Sequence, residues 1–327
     1  MKYFRLEHKL SDLKTFSEQG HKDIKSSGLS VLDSIFMLKK GYPIFIGGAP
    51  YSGKTEFAFE VLINTSILYG WKHFIYCGEG GNIEHIYAEL LHKYLNKPYK
   101  YAEEKDKVSA EYFISEHFII ANHDNDFTIS EFYDTVIEAE KEYGIKFDTT
   151  MFDPFNDIKE ELEKFNGRED KFLADVLKQV RISSKVNNRI DILLNHIADV
   201  RAQQTQEGIR YLPAALPNEW AGGRTWWRRA FTMILVYRAP VCLKDAQGMP
   251  YAENETHIIV QKSKPKGIGK TGKASIFWDW KKNRYYCYEG NQQLYSCETI
   301  ESINKDIKSV LTPSKDFTQS IKGEDLY

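Results

Sequence analysis

The chain has 327 residues, 42% of them apolar and 28% charged, with a formal net charge of −2. That length suits one large α/β domain or two small ones, and the composition is ordinary for a soluble globular protein. The near-zero charge excludes a uniform basic coat, so any nucleic acid must bind through a local patch.

The opening residues, MKYFRLEHKLSDLK, lack the apolar centre of a signal peptide. The longest apolar runs, such as MILV at 233–236, are far too short to span a bilayer. Cys77, Cys242, Cys287 and Cys297 are scattered, and neither they nor the nine histidines have metal-ligand spacing. These features predict a reduced, cytoplasmic protein with no structural metal and no membrane partner.

Residues 1–27 are polar and weakly periodic, and read as a linker or arm. The first clear strand is PIFIGG, followed at once by GAPYSGKT and then TEFAFEVLINTSILYG. The last reads as a helix with Ala58, Val61, Leu62 and Thr65 on one face and Gly70 as its stop. The alternation continues: strand KHFIYCGE, helix NIEHIYAELLHKYL, strand HFIIAN. FTISEFYDTVIEAEKEYG then opens with Thr128 and Glu131 in capping-box spacing. It sets Phe132, Val136, Ala139 and Tyr143 on one helical stripe. Strand TTMFD, helix REDKFLADVLKQVRISSKVN and strand DILLNH complete the run. Alternating strands and helices predict a mostly parallel twisted sheet covered by helices on both faces. The pattern breaks at 197–223, a long aperiodic stretch of the kind that is functional or disordered. FTMILVYR and THIIVQK read as further strands, and ASIFWDWKKNRYYCYEG as a C-terminal β-hairpin turning at KKN. The polar tail at 299–327 reads as an appendage, leaving 28–298 as the domain.

Gly48, four residues, then Gly53-Lys54-Thr55 is the P-loop spacing, in the strand–loop–helix setting the motif requires. The backbone of Gly48, Ala49, Pro50, Tyr51, Ser52, Gly53, Lys54, Thr55 and Glu56 would line a phosphate cradle, its N–H groups pointing inward. The helix N-terminus adds partial positive charge. Lys54 is expected on the β- and γ-phosphates and Thr55 on Mg²⁺. Hydrolysis also requires an acid to hold the metal and a base to orient water. Asp153 ends a strand at the carboxyl edge of the sheet, where ligands bind in such folds. The plainer alternative is a turn started with Pro154. Glu79 ends the strand after the P-loop helix, among Gly78, Gly80 and Gly81. It fits a water-activating carboxylate or, alternatively, a solvated loop acid. His196, beside Asn195, ends another strand as a γ-phosphate sensor or a satisfied turn histidine. Two basic clusters remain, Arg224, Arg228 and Arg229 in one, and Lys262, Lys264, Lys266, Lys270 and Lys273 in the other. A charge run is more often a solvated face.

The order of these motifs resembles the RecA-type ATPase domain of DnaB-like replicative helicases, nearest to the phage and mitochondrial Twinkle-like branch. The likeness covers roughly residues 28–290. It rests on the P-loop, YCGE, TTMFDPFND, ILLNH and the closing VQKSKPKGIGKTGKASIFWDWKKNRYY. The resemblance implies a RecA-like fold and an ATP-dependent DNA helicase using ATP and Mg²⁺. Its catalytic site would hold Lys54, Glu79 as base, Asp153 as the Mg²⁺-associated acid with Thr55, and His196 as the coupler to the DNA loops. Arg238 and Trp280 would lie near the nucleotide base. Lys264 stands where the family usually has an arginine finger, with Lys262 as its companion. The segments PFNDIKEELEKFNGRED and 197–224 would be channel loops, and Arg201, Arg210 and Arg224 of the latter, with Arg228 and Arg229 of the basic cluster just beyond it, the candidates for DNA contact. The implied assembly is a homo-hexamer on single-stranded DNA in the cytoplasm of a bacterial or phage-infected cell. No primase domain is recognisable before residue 28, so a primase or loader would be a separate protein. Lysine at 264 cannot make arginine's forked contact. That departure keeps open a second reading, a RecA-type ATPase of recombination, repair or assembly that does not unwind.

Overall fold

β-branched and aromatic residues in short runs, punctuated by glycine and asparagine, build the strands of this chain, and the central runs are buried on both faces of the sheet. The computed structural model describes residues 5–198 and 200–298. The strands are β1 (Ile44–Gly48), β2 (His73–Cys77), β3 (Phe118–Ile120), β4 (Thr149–Asp153), β5 (Ile190–His196), β6 (Gln203–Gln204), β7 (Arg210–Tyr211), β8 (Thr232–Arg238), β9 (Glu255–Lys262), β10 (Gly272–Asp279), β11 (Arg284–Glu289) and β12 (Gln292–Tyr295). The α-helices are α1 (Leu10–Gln19), α2 (Lys54–Tyr69), α3 (Ile83–Leu95), α4 (Glu104–His117), α5 (Ile129–Glu142), α6 (Glu169–Asn187) and α7 (Arg224–Arg229).

Among the described residues the main sheet is 10-stranded, in the order β12-β11-β10-β9-β8-β1-β5-β4-β2-β3. From β8 to β3 neighbouring strands run parallel, and from β8 to β12 they run antiparallel. The expected mostly parallel sheet with a terminal hairpin is therefore present, and β12 extends the β10–β11 hairpin by one strand. Successive side chains alternate across the sheet. Ile44 and Ile46 of β1 enter one core with α2, α3 and α4, while Phe45 enters the other with α5, α6 and α7.

The helix starts follow local chemistry. At α5 the Thr128 hydroxyl accepts the Glu131 N–H at 3.2 Å, and the Glu131 carboxylate accepts the Thr128 N–H at 2.8 Å. Phe132, Val136 and Ala139 of its stripe are buried, but the helix stops at Glu142 and Tyr143 is exposed. Helix α2 differs from its expected one-sided face: it is buried from Phe57 to Ile67 without a break. The reason is long-range. The β10–β11 hairpin covers the side that sequence periodicity leaves polar, and Arg284 of β11 donates to Glu60 (2.7 Å) and Asn64 (2.9 Å). Helix α4, which the sequence pattern leaves unassigned, packs beside α3 through Phe113 and Ile114. The threonines that make β4 less apolar than its neighbours are paired. Thr149 Oγ1 is 2.6 Å from His73 Nδ1, and Thr150 donates to Asp191 at 2.7 Å.

Within the arm, α1 buries no residue, and Leu6, Leu10, Leu13 and Phe16 are exposed. The chain joins the domain where Lys25 bridges Leu38 and where the Asn64 amide donates to Ser27 O at 2.9 Å. The expected tail at 299–327 lies outside the described residues.

Candidate nucleotide site

The loop between β1 and α2 turns through Gly53 at φ +88°, and a Cβ there would lie 2.8 Å from the Tyr285 hydroxyl. At Gly48 a Cβ would lie 2.6 Å from the Val236 carbonyl. Glycine is thus required at both ends of the loop, once for a left-handed backbone and once for close approach. Ser52 Oγ is buried in this loop without a hydrogen-bond partner. An orphaned hydroxyl beside the N-terminus of α2 suits an anionic ligand.

Parallel pairing brings the ends of β1, β2, β4 and β5 to one edge; Asp153 and His196 end β4 and β5, whereas Glu79, expected to end its strand, lies in the turn after β2, which stops at Cys77. Thr55 Oγ1 donates to Asp153 Oδ2 at 2.6 Å. Lys54 Nζ lies 3.2 Å from the Ala49 carbonyl and 3.4 Å from His196 Nδ1. His196 Nε2 lies 3.1 Å from Glu79 Oε1. Since Lys54 has only protons to give, Nδ1 accepts and Nε2 carries the proton offered to Glu79. The result is a polar chain, Lys54–His196–Glu79, beside a hydroxyl–carboxylate pair, Thr55–Asp153.

Burial dominates the electrostatics. Asp153, 2% exposed, has its carboxyl pushed up to about 6 by desolvation, against the Thr55 hydrogen bond and the Lys54 charge. Burial likewise lowers the Lys54 ammonium, opposed by Asp153 and Glu79. Two oxygen donors, one of them a desolvated carboxylate, fit a hard divalent cation such as Mg²⁺. Glu79 is the more accessible member of the polar chain, with its side chain 58% exposed against 18% for His196.

A cavity of about 680 Å³ opens on this edge, lined by Lys54, Thr55, Glu56, Glu79 and His196 among others. A second, of about 600 Å³, lies across the loop, shares Pro50 and Tyr51 with the first, and carries Arg238, Tyr237 and Tyr211. Trp280 stands 71% exposed on the β10–β11 turn and lines neither cavity. Lys262 is buried: its ammonium donates to the Trp227 carbonyl and lies 5.3 Å from that ring centre. Burial, with Lys264 nearby, pushes it down to about 8. Lys264 and Lys266 are exposed on the turn after β9, where His21 Nε2 meets the Lys266 carbonyl at 2.9 Å.

Phe155, in the first expected channel loop, stands edge-on to Trp226 of α7, just past the end of the second, at 5.4 Å. Arg201, Arg210, Arg224, Arg228 and Arg229 are all exposed, and Arg210 also lines the second cavity. Two further residues belong to the site without a motif to announce them. Asp157, raised first by burial and then by the Glu79 charge, would clash with a Cβ at Gly78. Tyr285 supports Gly53 from beneath, fully buried, with its hydroxyl pushed up by desolvation. Asp157 has a faint signal as a second acid in DPFND; nothing local marks Tyr285.

A parallel sheet whose first strand feeds a P-loop, with an antiparallel extension beyond β8, is the RecA-like fold. One solved ATPase domain is similar in fold, with a TM-score of 0.66 and 15% identity over 87% of this chain and 99% of that one. A DnaB-like replicative helicase, solved with its interactions with primase, is similar with a TM-score of 0.65 and 15% identity, over 86% of this chain and 68% of that one. The predicted likeness to DnaB-like helicases is thus present in the fold. No protein-family model and no curated protein matches the sequence. Among the described residues no helix is long and apolar enough to cross a membrane, and no cluster of three or more His, Cys, Asp or Glu could hold a metal by itself.

Proposed function

We propose that the chain is the ATP-hydrolysing motor of a replicative DNA helicase, acting as a ring on single-stranded DNA. The observation that carries this reading is the convergence on one P-loop of Thr55–Asp153 and Lys54–His196–Glu79, in a fold similar to that of a DnaB-like replicative helicase. Mg²⁺, held by Thr55 and by Asp153 through water, would neutralise phosphate charge. The loop from Gly48 to Glu56 binds the phosphates and Lys54 pairs with them. Glu79 accepts the proton of the attacking water. His196, bonded to Glu79 and opening the 197–223 loop, relays the state of the site to the DNA-facing arginines Arg201, Arg210, Arg224, Arg228 and Arg229. Arg238, on the wall of the second cavity, holds the base, with Trp280 as its aromatic partner if the hairpin turn moves in. Lys264 serves the neighbouring subunit's site as the finger, with Lys262 behind it. The assembly is a homo-hexamer, and the primase or loader is a separate chain.

Lysine at 264 supports a second reading, a DNA-stimulated or regulatory ATPase that does not separate strands, because a point charge stabilises a phosphoryl transition state less well than a fork. Turnover with and without single-stranded DNA, followed by strand separation on a forked duplex, tests both. The helicase reading expects stimulation and unwinding. Stimulation alone supports the second reading, and the absence of both overturns the helicase reading. Glu79→Gln should keep nucleotide binding and slow turnover by roughly 10²-fold or more, as loss of a general base does. Lys54→Ala should lose binding. An unchanged rate in Glu79→Gln would remove Glu79 from its role.

A further inference from the structure

At the opposite edge of the sheet, where β1, β5 and β8 begin, lies a cavity of about 390 Å³ with Lys39, Lys40, Tyr42, Arg181, Lys185 and Phe231 in its wall. An adjoining cavity of about 290 Å³ shares Lys39 and Lys40 and adds Lys25, Trp71 and one acid, Asp23. β1 has five residues, so this edge is about 17 Å from the phosphate loop. It is a separate place on the molecule.

Its cations are only partly used. Lys40 pairs with Asp148 and Lys39 donates to the Lys22 carbonyl. Arg181 and Lys185, one turn apart on α6, are exposed and form no ion pair among the described residues. A helix C-terminus accounts for cations in its last turn. It does not account for Lys39 on a different segment lining the same cavity, nor for positive charge gathered here in a chain of net charge −2. The aromatic wall adds a second requirement. Tyr42 and Phe231 stand 6.0 Å apart between ring centres, tilted by 35° and half-buried, and both line the cavity.

We infer that this cavity is a second binding site for single-stranded nucleic acid, with phosphates against Arg181, Lys185 and Lys39 and a base against Tyr42 and Phe231. Cationic side chains that follow a backbone, next to rings that accept any base, are what sequence-tolerant single-strand binding requires. An acidic peptide would satisfy the cations and leave the aromatic wall unused. The site goes beyond the proposed motor function, because both expected channel loops lie at the other edge of the sheet. It would hold a strand on the outside of the ATPase domain.

The test is fluorescence anisotropy of the full chain with labelled oligo-dT across a salt series, comparing wild type with Arg181→Glu/Lys185→Glu. Both side chains are exposed, and a thermal melt verifies folding. Losing two phosphate contacts should weaken binding several-fold and reduce the slope of log affinity against log salt by about 1.4, at 0.7 per contact for single strands. A parallel variant, Arg228→Glu/Arg229→Glu, reports the channel-loop contact independently. An oligonucleotide bearing 4-thiothymidine should cross-link to peptides containing Tyr42 or Phe231. A slope and affinity unchanged in Arg181→Glu/Lys185→Glu, with cross-links confined to 200–229, would overturn the inference whatever the loop variant does.

Discussion

His73 sits on β2 with no solvent contact, its two ring nitrogens taken by Ser66 (2.9 Å) and Thr149 (2.6 Å). Burial, and then His117, hold its pKa well below the ordinary value, so the folded protein keeps it neutral. In the unfolded chain it takes up a proton below about pH 6.5. The stability it lends is therefore complete above that pH and is lost as pH falls through and below it. The slope is up to about 1.4 kcal/mol per pH unit from this one group. Urea unfolding between about pH 7.5 and pH 5 should show this, and His73→Gln, which can still bond both hydroxyls, should flatten the profile. An identical slope in the variant would mean that acid sensitivity lies elsewhere. At the same scale, the proposed finger is a lysine, Lys264, where the resemblance implies an arginine. Lys262 is sheathed by Trp227, whereas Lys264 is exposed.

Among the elements, α2 connects the phosphate loop to the rest of the fold. It is held by a buried network in which Arg284 of β11 reaches Glu60 and Asn64, and Lys93 of α3 reaches Glu56 at 2.7 Å. Arg284→Met removes the partner that Glu60 needs and leaves a carboxylate inside α2 with Lys93 at 3.7 Å as its remaining cation. Breaking a buried pair this way should cost about 3–5 kcal/mol in denaturant unfolding. Glu60→Gln added to Arg284→Met should recover part of the loss; a single-variant cost under about 1 kcal/mol would refute the network's role. This network also marks the limit of reading the sequence. The P-loop, the acid that ends β4, the acid just after β2 and the histidine that ends β5 are legible, because strand ends in a parallel sheet share an edge and the motif fixes which edge. Helix α2 reads as one-sided because its second covering, the hairpin, arrives more than two hundred residues later in the chain. Tyr285 escapes notice for a related reason, since only the folded sheet brings it under the loop, and Asp157, though an acid in DPFND, is brought beside Gly78 only by the fold. Helix α4 is illegible because its face is interrupted by charge, with just Ala110, Phe113 and Ile114 buried.

For the whole molecule, the proposed sharing of the active site between subunits makes a prediction that no single subunit can satisfy. On that proposal Lys54→Ala subunits would lack the phosphate contact and Lys264→Ala subunits the finger, so each should be nearly inactive alone. Mixed in equal amounts, rings with head-to-tail interfaces should recover activity at about a quarter of their sites, those pairing an intact loop with an intact finger. No recovery on mixing would place the whole site within one subunit and remove Lys264 from it. Finally, the Cys297 N–H donates to the Gly28 carbonyl at 2.6 Å, so the two limits of the sheet domain are neighbours in space. A chain rejoined there by a short linker and reopened in the exposed turn at Tyr143–Gly144, between α5 and β4, would keep every sheet pairing. Such a circular permutant would carry its new ends away from the phosphate edge, giving a place to attach a dye or a surface tether.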